Sequence, residues 1–199
     1  MNRIVPLFPL ELFLLPGEFY QLHIFEPRYR QMIMDVLNDD REFGIPFFHI
    51  TNGRNLGCWV EVISMYNENE LGECDIAIRC KSLMIVKSFL HKISDDISYP
   101  GGEISHWNND WNQPISEDLR SVFQSYLVNN NMTDSRWMNN MNPGLVDVFT
   151  MFNPNAQDKL SFITLKEFEQ REKFVKSYVQ YYLLLNEQES KQYHNIYLN

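Results

Sequence analysis

Cysteine is scarce in this chain of 199 residues: Cys58, Cys74 and Cys80 are the only three. The number is odd and no pair has Cys-x-x-Cys spacing, which argues against a disulfide framework and for a reducing compartment. Basic runs are missing too. The net charge is −9, and residues 1–115 carry most of it, with 9 Lys+Arg against 16 Asp+Glu. A chain of this balance repels phosphate backbones, so nucleic acid is not an expected partner. No stretch approaches the roughly 20 apolar residues that span a bilayer. The apolar N-terminal segment Ile4 to Leu15 is broken by Pro6 and Pro9, charged by Glu11, and followed by no small-residue cleavage site, unlike a signal peptide. A cytoplasmic protein with no membrane partner is expected.

Catalytic motifs are equally thin. No Gly-Lys pair occurs, so no phosphate-cradling P-loop for ATP is present. No His is followed by Glu, and there is no Gly-x-Ser-x-Gly elbow. His23, His49, His91, His106 and His194 are never three or four residues apart, so helical metal-ligand spacing is absent. Asp39-Asp40 and Asp95-Asp96 sit in polar, turn-like contexts and read as solvated turns. Cys74, Ile76, Ile78 and Cys80 share one strand parity, where cysteine packs as a small hydrophobe. No enzyme activity, cofactor or metal is expected.

What is present is a globular composition, 44% hydrophobic and 22% charged, in two halves of different period. In the first half, Arg3 to Leu7 and Phe13 to Leu15 are short extended pieces, and Phe19 to Ile24 alternates as a half-buried strand. Pro27 suits a first helical position. Tyr29, Met32, Ile33, Val36 and Leu37 then follow at helical spacing. Phe43 to Ile50 reads as a strand, with Pro46 marking an edge or bulge. Cys58 to Tyr66 and Glu73 to Cys80 flank a polar, Gly-containing loop and predict a hairpin. Met84 to Phe89 and Gly102 to Trp107 are further strands.

The second half is helical. Ser116 is a good N-cap with Glu117 and Asp118 behind it, opening a helix with the stripe Leu119, Val122, Phe123, Tyr126 and Leu127. Helices are also predicted between Thr133 and Met141, over Leu145 to Phe152, and around Leu160 and Ile163. Thr164 and Glu167 have capping-box spacing ahead of a long last helix with the stripe Phe168, Val175, Tyr178, Val179, Tyr182 and Leu185. The Trp-containing stretch Trp107 to Gln113 is the expected joint, dividing the chain into a β-rich part, 1–113, and a helical part, 114–199.

One run is distinctive: Pro6-Leu7-Phe8-Pro9-Leu10-Glu11, then Leu15-Pro16-Gly17, then Leu22-His23-Ile24-Phe25-Glu26-Pro27-Arg28-Tyr29-Arg30-Gln31-Met32. It resembles the opening of the Lon protease N-terminal domain family, whose pattern is Pro-Leu-Phe-Pro-Leu, a Phe-Pro-Gly turn, and Leu-x-Ile-Phe-Glu-x-Arg-Tyr entering a helix. Arg41 to Ile45, and Gly57 to Arg79, continue the likeness. It returns more faintly at Asp158-Lys159-Leu160 and Arg171 to Tyr178. Leu15 stands where the family often has Phe, and Trp107 to Gln113 and Asn129 to Asn142 have no family counterpart.

The resemblance implies an α+β fold: a PUA-like β pseudo-barrel with one helix, followed by a C-terminal helical bundle. It implies a stand-alone, single-domain member, more distantly like the Lon-like domain of cereblon. The 199 residues contain no counterpart of Lon's ATPase and Ser-Lys protease modules. The implied function is recognition of unfolded or tagged polypeptide, with a protease or chaperone as a further partner and no hydrolysis. The alternative is an RNA-binding PUA-like protein. The implied binding residues are Phe25, Glu26, Arg28, Tyr29 and Arg30, at the strand-to-helix corner. Glu26 and Arg28 also admit an architectural reading, in which Glu26 satisfies free N–H groups of the helix start and Arg28 ties down loop carbonyls or a buried acid.

Overall fold

The computed structural model describes residues 4–49, 55–107, 109–132 and 142–196. The helix predicted between Thr133 and Met141 lies outside them. Two compact units divide the chain, Met1–Asn109 and Asp110–Asn199.

Among the described residues the first unit holds seven strands and one helix, in the order β1 (Val5–Pro6), β2 (Phe19–Ile24), α1 (Pro27–Asn38), β3 (Glu42–Pro46), β4 (Leu56–Tyr66), β5 (Cys74–Val86), β6 (Gly101–Gly102) and β7 (Ile104–Trp107). The predicted hairpin is its spine: β4 and β5 pair antiparallel from Leu56↔Ile85 to Tyr66↔Asp75, with register shifts between Trp59 and Val60 and between Val62 and Ser64. The sheet order is β2-β5-β4-β3, with β7 also on β5, and β1 pairs with β6 in a second, two-stranded sheet. Both sheets are antiparallel.

β5 runs through Met84 to Val86, so the separate strand predicted from Met84 is the far end of the hairpin arm. Alternation along it works as expected: Cys74, Ile76, Ile78 and Cys80 are buried, and Arg79 and Lys81 are exposed. Each such apolar burial contributes about 1.5–3 kcal/mol. β2 differs from expectation. It ends the sheet order, only Ile24 is buried, and Tyr20 is exposed. An edge strand has one neighbour, and its side chains gain less cover than alternation alone suggests.

Phe13 to Leu15 is buried but forms no strand. The polar groups of Leu14 are satisfied by sulfur: its N–H donates to Cys58 Sγ (2.9 Å), and its carbonyl accepts from the Cys58 and Cys80 thiols (3.2 and 3.6 Å), while the Leu15 N–H donates to Glu18 Oε2 (2.6 Å). The cysteines thus do more than pack; two of them hold a buried, irregular segment.

The second unit contains α2 (Glu117–Asn129), α3 (Leu145–Thr150), α4 (Ala156–Thr164) and α5 (Phe168–Ile196). Ser116 Oγ caps α2 by accepting from Leu119 N at 3.3 Å. The capping box predicted at Thr164 does not form. Thr164 is the last residue of α4 and donates to Ser161 O at 2.7 Å. Arg171, only 4% exposed, takes over that junction. Its Nη1 donates to the carbonyls of Leu165 (3.1 Å) and Lys166 (3.3 Å), and its guanidinium sits 5.2 Å from the Trp111 ring centroid.

Asn112 closes the start of α3. Its Oδ1 accepts from Asp147 N (3.1 Å) and its Nδ2 donates to Asp147 Oδ2 (2.9 Å). A Cβ on Gly144 would lie 2.0 Å from Asn112 Oδ1. Gly144 has no side chain to cap the helix, and a residue distant in sequence supplies the cap. The core of this unit is aromatic: Phe149 is within 5.0–5.6 Å, ring centre to centre, of Phe162, Phe174 and Tyr178.

A two-compartment aromatic groove

The corner signalled by the sequence forms one wall of a groove in the first unit. Residues 7–10 run parallel beside β3, through the bridges Leu7↔Gly44 and Leu10↔Phe47 and the bonds Phe8 N→Gly44 O (2.8 Å) and Phe48 N→Leu10 O (3.1 Å). The approach depends on Gly44, where a Cβ would meet Leu7 Cδ2 at 2.6 Å and the Met84 side chain at 2.7 Å. Phe8 is thereby laid against Tyr29 of α1, their ring centroids 4.0 Å apart.

The helix start is built from backbone. The Glu26 carbonyl accepts from Tyr29 N and Arg30 N, both at 3.0 Å. The Glu26 carboxylate makes no cap bond. It accepts instead from Arg28, Nε at 3.0 Å and Nη2 at 2.9 Å. The architectural expectation for these two residues is corrected accordingly: their partners are each other, and the pair is exposed, with side-chain accessibilities of 45% for Arg28 and 42% for Glu26. The Arg28 guanidinium also lies 4.6 Å from the Tyr29 ring centroid. Burial raises the Tyr29 hydroxyl pKa, with Arg28 pulling the other way; that hydroxyl stays neutral at physiological pH.

The groove has two adjoining compartments. One, of 390 Å³, is lined by Phe8, Pro9, Leu10, Glu26, Arg28, Tyr29, Phe48, Phe89, His91 and Pro100. The other, of 310 Å³, is lined by Pro46, Phe47, Phe48, His49, Asn55, Leu56, Val86, Lys87, Ser88 and Phe89. Phe48 and Phe89 belong to both, and their rings meet edge to face at 5.9 Å. Phe89 also meets His91 edge to face at 5.2 Å, and Phe47 stacks on His49 at 5.5 Å. A concave, mostly apolar lining with a few polar groups is the ordinary form of a binding site.

Of the five residues implied by the resemblance, the structure brings Glu26, Arg28 and Tyr29 together here. Arg30 lines a different, 320 Å³ hollow with Met34, Met65, Glu68 and Leu71. Phe25, 56% exposed, lines neither and lies 6.0 Å from the His23 ring. Helix geometry explains the split, since Arg28 and Arg30 are two residues apart and so face different sides of α1. Phe48, Phe89 and His91 were not singled out by sequence. A signal exists for them: Phe47-Phe48-His49 and Phe89-Leu90-His91 repeat one Phe-x-His pattern just after a strand. Among the described residues no group of three or more His, Cys, Asp and Glu could hold a metal ion.

An antiparallel sheet carrying one helix, followed in the chain by a helical unit and bearing an open aromatic groove, defines an α+β domain. The structure is similar to the crystal structure of a Lon N-terminal domain protein from Xanthomonas campestris, with TM-score 0.60 and 18% identity over 89% of this chain and 98% of that one. It is also similar to the N-terminal domain of the Mycobacterium avium complex Lon protease, with TM-score 0.59 and 11% identity over the same shares. At such identities the likeness is one of fold. No curated protein sequence matches the chain. The model of the ATP-dependent protease La (LON) substrate-binding domain matches residues 4–195, and the chain belongs to that family: it is a substrate-recognition domain of the Lon type.

Proposed function

We propose that the domain is a non-catalytic, polypeptide-binding module whose binding surface is the groove between residues 8–10, the start of α1, and the Phe48–Phe89 pair. The observation that carries the reading is the exposure of aromatic rings in a concave surface. Phe48 is 55% exposed although it follows a strand, and it lines both compartments. Leaving a ring in water forgoes about 1.5–3 kcal/mol of burial, a cost a receptor recovers when a client covers it. Adaptable apolar contacts favour varied clients at modest affinity, on the order of micromolar. A cytoplasmic setting, a PUA-like strand arrangement and a partner protease or chaperone belong to this same reading.

The test is titration with labelled, reduced and carboxymethylated α-lactalbumin and with single-stranded RNA, each at two salt concentrations. Binding of the unfolded polypeptide, with shallow salt dependence, is expected. Tight, steeply salt-sensitive RNA binding without polypeptide binding would overturn the reading in favour of an RNA-binding protein. Incubation with casein and ATP is expected to yield no fragments or phosphate above a heat-killed control.

A further inference from the structure

We infer that the groove selects an extended segment with two apolar side chains flanked by acidic residues; this rests on the polypeptide-binding reading and names the class of client. Phe48 and Phe89 form a shared wall between two cavities. A single apolar side chain fills one cavity and leaves the other wet, so a client with two anchors is favoured. In an extended chain alternate side chains point to one side, about 7 Å apart, a spacing that straddles one wall of paired rings.

The charge of the lining sets the flanks. Among the described residues its ionisable groups are Glu26, Arg28 and His91 in one compartment and His49 and Lys87 in the other, besides the buried Tyr29. The one carboxylate among them, Glu26, is taken by two N–H groups of Arg28. That leaves the remaining Arg28 donors and the exposed Lys87 ammonium to meet a client, and Lys87 makes no ion pair among the described residues. The chain as a whole carries −9 and repels acidic segments at long range. At physiological salt that repulsion is screened beyond about 8 Å, and the local cations decide the preference.

The experiment uses three fluorescein-labelled peptides with the cores Asp-Phe-Ser-Phe-Asp, Ser-Phe-Ser-Phe-Ser and Lys-Phe-Ser-Phe-Lys, titrated by anisotropy against the whole chain and its Lys87→Glu variant. The acidic peptide is expected to bind roughly fivefold tighter than the basic one, the scale of exposed charge pairs turned from attraction to repulsion. The ratio should fall towards one in 1 M salt, and Lys87→Glu should reverse the order. Lys87 is exposed, so its replacement leaves the fold intact, which circular dichroism checks. Equal binding of all three peptides, or a preference untouched by Lys87→Glu, overturns the inference while the polypeptide-binding reading stands. Absence of binding by every peptide and by unfolded α-lactalbumin overturns both.

Discussion

The two units use aromatic residues differently. In Asp110–Asn199 most of the described rings face one another: Phe149, Phe152 and Phe162 are buried, Tyr178 and Tyr182 pack on Phe152 at 6.2 and 5.0 Å, and Tyr181 is the exposed exception. In Met1–Asn109 several rings remain in water, with Phe19, Phe25 and Phe48 exposed by 62%, 56% and 55%. The count of 14 Phe and 10 Tyr is therefore two quantities. One part is core volume, spent on stability. The other is exposed surface, available for recognition, and only its position on the fold tells the parts apart.

Substitution should separate them most sharply at two phenylalanines. Phe149→Ala empties a fully buried site ringed by aromatics and is expected to cost about 3–5 kcal/mol in urea denaturation. Phe48→Ala removes a larger share of groove surface than of core. Its stability should change by less than about 1 kcal/mol, while unfolded-polypeptide affinity falls several-fold. A Phe48→Ala protein as unstable as Phe149→Ala would mean that the exposed rings are structural, and the contrast would collapse.

A smaller effect is expected at Gly144. Its φ of −76° is open to any residue, so the obstacle is steric, with the Asn112 side chain nearest. Gly144→Ala should expel Asn112 from its bonds to Asp147 and cost about 1–2 kcal/mol, the range of a lost N-cap. Asn112→Ala should cost about the same by removing the same bonds. The double variant should therefore cost little more than either single one, and full additivity would show that the two residues do not act as one cap.

How much of this was legible beforehand depends on sequence distance. The Ser116 cap, the Pro27 helix start and the β4–β5 hairpin are local, and spacing alone located them. Asn112 caps a helix beginning at Leu145, and Arg171 holds the carbonyls of Leu165 and Lys166 at the junction where a Thr164 capping box was expected. Neither is a local pattern. The groove gathers residues 8–10, 26, 28, 29, 46–49, 55, 56, 86–89, 91 and 100. A family signature confined to residues 6–32 contributed its Glu26–Tyr29 wall and the Phe8 segment, but could not point to Phe48 and Phe89, which follow later strands. It also took in Arg30, which lines a different hollow, and Phe25, which lines neither compartment, because a run of residues entering a helix fans out around it.

Alkaline pH offers a finer probe of the two units, since each buries a tyrosine hydroxyl that donates to an aspartate at 3.0 Å: Tyr99 to Asp35, and Tyr178 to Asp158. Burial first, then the Asp35 bond, pushes Tyr99 from 10.0 up to about 12, and Tyr178 is raised for the same reasons. A raised tyrosine pKa means the fold favours the neutral form. Its stabilising contribution is complete below pH 10 and is lost as the pH climbs through about 12. Stability measured from pH 9 to 12 should therefore fall less steeply in Tyr99→Phe than in the parent. Parallel curves would remove Tyr99 from the alkaline transition.

Only a small effect on folding is expected at Arg28. An arginine tied to a buried acid or to buried carbonyls costs about 3–5 kcal/mol when removed, because the partner is stranded. Arg28 is not so placed. Its carboxylate partner, Glu26, is two residues away and 42% accessible, so water replaces the guanidinium once it is gone. Exposed pairs of this kind contribute about 0–1 kcal/mol, and the stacking on Tyr29 adds about 0.5–1 kcal/mol at an exposed site. Arg28→Ala should thus lower stability by about 0.5–2 kcal/mol in denaturant titration. Binding should respond more, since removal leaves the Glu26 carboxylate uncompensated in the groove and turned against acidic clients. Peptides with acidic flanks should lose affinity relative to those with basic flanks. A stability loss above about 3 kcal/mol with unchanged peptide preference would assign Arg28 to the scaffold and leave the groove's selectivity to Lys87 alone.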